Sequence, residues 1–107
     1  MQFDGFNWDE GNWPKCGNHS LTQNQIDIIF RNDPIIFADL KHSVIEDRFN
    51  AIGSTSDGRL AFVVFTFRPR FGKTYVRPLS ARHMHKKEID YYERQQSEKG
   101  TTSVFKR

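Results

Sequence analysis

Residues 60–67 are apolar at every position except Thr66, so a strand made from them carries hydrophobic side chains on both faces. Such a strand belongs inside a sheet that is covered from both sides. Just before it stands Ser56-Asp57-Gly58. Asp-Gly is a strong hairpin signal, because both central positions of the tightest turns need positive φ. With Asp57 and Gly58 as the turn residues, 48–55 pairs with 59–68, which sets Ile52 opposite Val63 and Ala51 opposite Val64.

Other elements gather around this hairpin. Residues 73–81 read as a further strand, with Pro78 near its end and on a free edge, where its missing N–H costs no ladder bond. Residues 34–37 read as a short strand, and 2–8 as a short edge strand weakened by Gly5. Thr22 and Gln25 have the T-x-x-Q spacing of a capping box, and Leu21 and Ile26 that of a hydrophobic staple. Ile26, Ile29 and Phe30 then share one helical face, and Asn32-Asp33-Pro34 ends the helix. Residues 12–17, with Pro14, read as a loop or frayed turn. A second helix is expected from about 83 to 96, with Ile89 and Tyr92 turned inward and Arg82 just past the preceding strand. The expected fold is α+β: an antiparallel sheet of about four strands with an N-terminal and a C-terminal helix packed on it. A chain of 107 residues holds one core, and ten phenylalanines give it bulk. The expected domain is 1–96, followed by a polar, flexible tail over 97–107.

No run approaches the roughly 18 apolar residues of a membrane span, and the acidic start (Asp4, Asp9, Glu10) is unlike a secretory signal. Cys16 is the single cysteine, so no intrachain disulfide forms, which fits a reducing cytoplasm. Charge is unevenly spread. Residues 1–67 hold five Lys/Arg against nine Asp/Glu, whereas 68–94 hold eight against three. This suggests a basic face for a polyanion, with a solvated helix face as the plainer reading.

The densest chemistry runs from Arg77 through Arg82 and Glu88 to Tyr92, the last two sharing a helical face. Cutting RNA without a metal requires a base for the 2′-hydroxyl, an acid for the leaving oxygen and cations around the phosphate. Carboxylate and imidazole suit the first two roles, and arginine's planar fork suits the third. The plainer reading pairs Glu88 with Arg82 or a lysine and buries Tyr92 in the core. His19, in Lys15-Cys16-Gly17-Asn18-His19, can serve as an acid or base, or simply brace its loop. Arg48 can face the same basic surface or neutralise Glu46 and Asp47. Cys16, His19, His83 and His85 are zinc-type ligands, but the spacing fits zinc poorly and no metal or other cofactor is expected. His42 reads as a surface residue. Lys15, Arg68, Arg70, Lys73, Lys86 and Lys87 are candidate RNA contacts. The aromatics Trp13, Phe67, Phe71, Tyr75 and Tyr91 are interleaved with cations, though core packing is the common fate of any one of them.

Several segments in order resemble the BrnT family of toxins: F-N-W-D-E-G-N-W-P-K-C, the His19 segment, I-D-I-I-F, E-D-R-F-N-A-I-G, D-G-R-L-A-F-V-V-F-T and R-P-L-S-A-R-H-M-H-K-K-E-I-D-Y-Y-E. The resemblance covers about residues 6–93. It implies a fold like that of the RelE/ParE superfamily and a cytoplasmic ribonuclease that halts translation. It also implies a BrnA-like, DNA-binding antitoxin that forms a hetero-oligomer with the toxin. It places site residues at His19, Arg48, Arg77, Arg82, Glu88 and Tyr92. Asn18 stands where the family usually has lysine and Ser20 where it has glycine, so the alternative is a weak or inactive member that acts by binding its antitoxin or nucleic acid. If the turn needs positive φ at position 20, serine is expected to disturb it.

Overall fold

The computed structural model describes residues 2–42 and 45–98. Five strands form one sheet: β1 (Gly5–Phe6), β2 (Ile35–Ala38), β3 (Phe49–Ser54), β4 (Leu60–Arg70) and β5 (Lys73–His83). Two α-helices accompany them, α1 (Gln23–Arg31) and α2 (Lys86–Glu98), with short 3-10 turns at Lys15–Gly17 and Leu40–His42. The spatial order is β1-β5-β4-β3-β2. The α+β class agrees with the sequence. The sheet, however, has five strands and is mixed, because β1 runs parallel to β5.

α1 forms where the sequence marks it. Thr22 accepts from the Gln25 backbone N–H at 3.1 Å, and the Gln25 side chain accepts from the Thr22 N–H at 2.9 Å. Both residues of the staple, Leu21 and Ile26, are buried. The helix lies so close to β3 that a Cβ on Gly53 would come within 2.9 Å of Ile29 Cγ2. Beneath it Phe30 meets Phe65 edge to face at 4.9 Å, and Phe65 meets Phe49 and Phe67. Phe67 and Trp13 are thus taken up by packing, while Phe71 and Tyr91 are exposed.

The register of the central hairpin corrects the sequence reading. Ala51 pairs with Val63, and Ile52 with Phe62. The turn has three residues, not two. Thr55 N–H donates to the Arg59 carbonyl, Gly58 N–H donates to the Thr55 carbonyl, and Gly58 takes φ +82°. A slip of one residue exchanges the faces. Ala51, Val63 and Phe65 pack under α1, whereas Ile52, Leu60 and Phe62 meet Ile89 and Tyr92 of α2. One face of β4 is therefore covered by α1 and the start of the other by α2, while Val64 farther along stays only half-buried.

β5 is longer than expected and runs to His83, which pairs with Ala61, so Arg82 lies within the strand and α2 starts only at Lys86. β5 is interior where Gly5 and Phe6 pair with Tyr75 and Val76. Pro78 sits beyond that point, beside a β-bulge opposite Val64/Phe65, and its carbonyl accepts from the Asn12 amide at 2.9 Å. Pro78 is therefore in mid-strand and fully buried, not near the strand's end on a free edge. At the far end, β4 and β5 join through Phe71 and Gly72, both at positive φ, as a tight hairpin turn requires.

Candidate active site

Pairing fixes which side chains share the face opposite α1. Ile35, Ile52, Phe62 and Arg82 form one row across β2 to β5. Phe37, Asn50, Val64 and Ser80 form the next. Arg48, Thr66 and Arg77 lie beyond, with Asp39 bonded through its N–H to the Arg48 carbonyl. Helix α2 covers the first row through Ile89 and Tyr92, and Tyr92 also reaches Phe37 at the β2 end of the second. The rest of the second row, Asn50, Val64 and Ser80, is left as the floor of a groove of about 620 Å³. Its walls come from Arg82 and Tyr92 on one side, Asp39 and Arg48 on the other, and Gly11, Asn12 and Lys15 across the edge of β5. Its volume is in the range of ligand sites, about 300–1,000 Å³.

Four of the expected site residues meet here: Lys15, Arg48, Arg82 and Tyr92. Arg82 is firmly held. Its two guanidinium nitrogens bond both Glu88 carboxylate oxygens at 2.6 and 2.7 Å, and it lies over the Phe62 ring at 5.0 Å. Glu88 also accepts the His85 N–H at 3.1 Å, which ties the start of α2 to β5. The Arg82 hydrogen bonds hold the Glu88 carboxyl below its ordinary range, and Glu88 in turn raises the Arg82 guanidinium. Glu88 is thus ionised and orients Arg82 from behind. Tyr92 packs against Phe37 and Phe62. Burial, then the charge of Glu88, raises its hydroxyl, which stays protonated at neutral pH and can donate.

The other candidates lie elsewhere. Arg77 is next to the groove, since a Cβ on Gly11 would come within 2.9 Å of its Nη2. Its guanidinium is taken by Asn7 at 2.7 Å and by both Asp9 oxygens at 3.0 and 3.1 Å. Arg68 pairs with Glu46 at 2.9 Å. Arg70 and Lys73 flank the distal hairpin turn, eight residues or more along β4 from Phe62, roughly 27 Å at strand rise. Lys86 and Lys87 are exposed on α2, and Lys86 meets Asp90 at 3.2 Å. His19 is exposed in the turn before α1 and does not line the groove. That turn is intact with serine, because Ser20 itself adopts φ +72°. The side chain of His42 falls outside the described residues. Cys16 is buried, which raises its thiol. Among the described residues no three His, Cys, Asp or Glu gather as metal ligands. No helix among them is long and apolar enough to cross a membrane.

The sequence reading missed Asn12, Asp39, Asn50 and Ser80. Asn50 had a visible signal, a carboxamide in the apolar strand between Phe49 and Ala51. Asn12 is almost fully buried and bonds the carbonyls of Asn7 and Pro78, so it pins the N-terminal segment along β5 and holds Lys15 over the groove.

This arrangement, cations and a phenol around a groove on an open sheet face, can hold a phosphodiester. The family model of BrnT, the ribonuclease toxin of type II toxin–antitoxin systems, matches residues 8–88. The chain belongs to this family. The matched span contains Asn12, Lys15, Arg48, Asn50, Arg82 and Glu88, and so all of the groove except Tyr92. Comparison with curated proteins found no match. As a family of type II toxins, BrnT implies a partner antitoxin.

Proposed function

We propose that the chain is an endoribonuclease that needs no metal, and that RNA is cut in the groove between α2 and the N-terminal segment. The observation that carries this reading is the convergence of Lys15, Arg48, Arg82 and Tyr92 on one groove from four separate parts of the chain. Arg48, Arg82 and Lys15 would hold the scissile phosphate and neutralise the charge that builds on it. Tyr92, protonated at neutral pH, would give a proton to the leaving oxygen. Asp39 is the carboxylate lining the groove and would take the proton of the attacking 2′-hydroxyl. Arg77 and Glu88 then act through others: Arg77 fixes the N-terminal segment through Asp9, and Glu88 fixes Arg82. His19, outside the groove's lining, would act only on RNA that extends beyond the groove.

In the cell this activity would inhibit translation in the cytoplasm, in a fold related to the RelE/ParE toxins. A BrnA-like antitoxin with a DNA-binding domain would neutralise it by forming a hetero-oligomer. Induced expression of the chain alone tests the reading. Growth arrest with loss of RNA, relieved by Arg48→Ala/Arg82→Ala at equal protein level, is the expected result. Unimpaired growth with folded protein would point to a member that acts only by binding.

A further inference from the structure

Asn50 is the feature of the groove that phosphate chemistry does not use. It lies on the floor between Phe37 and Val64. The residue is only 7 % exposed. Its Oδ1 is one of two buried side-chain atoms among the described residues without a hydrogen-bond partner, the other being His83 Nδ1. A buried acceptor without a donor has lost its hydration with nothing in return. That cost is relieved when a ligand brings the missing donor.

The surroundings say which part of a nucleotide that is. The charged groups, Lys15, Arg48, Arg82 and the carboxylate Asp39, stand on the walls, whereas the floor beside Asn50 carries no charge and is apolar at Val64, with the hydroxyl of Ser80 beyond. A phosphate pressed onto an apolar floor would lose its hydration, but a neutral base would not suffer in the same way. With its phosphate at the wall cations, a nucleotide turns its base toward the floor. There the aromatic side chains of Phe62 and Tyr92 line the groove beside it. Contacts to phosphate position a nucleic acid, and contacts to base edges select it.

We infer that Asn50 reads the edge of a base seated on this floor and selects one with an amino group beside a ring acceptor on an edge away from the ribose, adenine or cytosine. This rests on the RNA reading of the groove and adds its specificity. Oδ1 is recessed, so the donor must project beyond the ring. An exocyclic amino group does so. The ring N–H of uracil lies between two carbonyl oxygens, which would face Oδ1 with like charge. The ring nitrogen beside the amino group accepts from Nδ2, the two-point pairing that asparagine makes with adenine.

The test measures binding of mononucleotides to the purified full chain by NMR titration, separately from cleavage. The probes are the 5′-monophosphates of adenosine, cytidine, uridine and purine riboside, the last being adenosine without its amino group. The wild-type chain should bind the adenosine and cytidine nucleotides about fivefold or more tighter than the other two. Asn50→Ala should bind all four alike, at the weaker level. Equal binding of the adenosine and purine-riboside nucleotides by the wild-type chain overturns the inference, as does no binding of any at millimolar concentration. Neither result depends on the variant's folding. Clear discrimination by a chain that cuts no RNA would uphold the base site and remove the nuclease reading instead. Cleavage mapped by sequencing adds a second check, since Asn50→Ala should flatten the base preference among the cuts that remain.

Discussion

Ser20 holds φ at +72° in the turn leading into α1, and the left-handed conformation costs an L-residue about 1–2 kcal/mol. Its side chain is exposed, and its N–H donates to the Gly17 carbonyl at 3.2 Å. Ser20→Gly should therefore remove the steric cost and keep the backbone bond. Against this stands the added freedom of glycine in the unfolded chain, about 0.4–1 kcal/mol. The net expectation is a gain of about 0.5–1 kcal/mol. Gly58→Ala reverses the argument. Gly58 has φ +82° and nothing within 4 Å of an added Cβ, so only the conformational cost remains and a similar amount should be lost. Urea titration should move the two midpoints in opposite directions with unchanged slope, and melting temperatures should shift by about 2–6 °C. RNA cleavage by Ser20→Gly should match the wild type, because serine already forms the turn. A Ser20→Gly chain that is no more stable, at unchanged slope, refutes the strain argument.

Other sites respond differently. Gly53→Ala meets packing, not backbone strain, since its Cβ would sit 2.9 Å from Ile29 Cγ2, and unfolding titrations should show a loss of about 1–3 kcal/mol. Arg82 holds the Glu88 carboxyl below its ordinary 4.5. The pair's contribution is fully present above about pH 4.5 and is lost as pH falls through the lowered folded value. Arg82 is 39 % exposed, so Glu88→Gln should cost no more than about 1 kcal/mol at pH 7. It should also make the acid limb of the stability–pH profile shallower, and a limb of unchanged slope would count against the pairing. Tyr92→Phe keeps the ring packed on Phe37 and Phe62, so the fold should be retained while kcat for RNA falls about tenfold or more, the measure of a lost proton donor.

Local chemistry was legible in the sequence and distant geometry was not. The Thr22–Gln25 box, the apolar stripe of α1 and the central place of β4 in the sheet follow from spacing and composition alone. The hairpin was found but its register was not, because Asp57-Gly58 suits a two-residue turn as well as a three-residue one, and one residue decides which face each side chain takes. β1 escaped as a parallel partner, because its two pairs depend on residues 70 positions away. The groove was half visible. Lys15, Arg48, Arg82 and Tyr92 stand out as charged or aromatic residues in polar stretches. Asn12, Asp39, Asn50 and Ser80 belong to the site only because the sheet rows and the N-terminal segment bring them together. Conversely, Arg77 looks as reactive as Arg82 in sequence, and only the fold shows that Asp9 and Asn7 occupy it.

The most direct test of the central claim is cleavage of a mixed RNA by the purified chain in EDTA, alongside Arg48→Ala, Arg82→Ala and the double variant. The account predicts cutting without metal by the wild type, large losses in both single variants and none left in the double, with all four equally folded. Undiminished cutting by the double variant would contradict it, because the chemistry would then lie outside the groove.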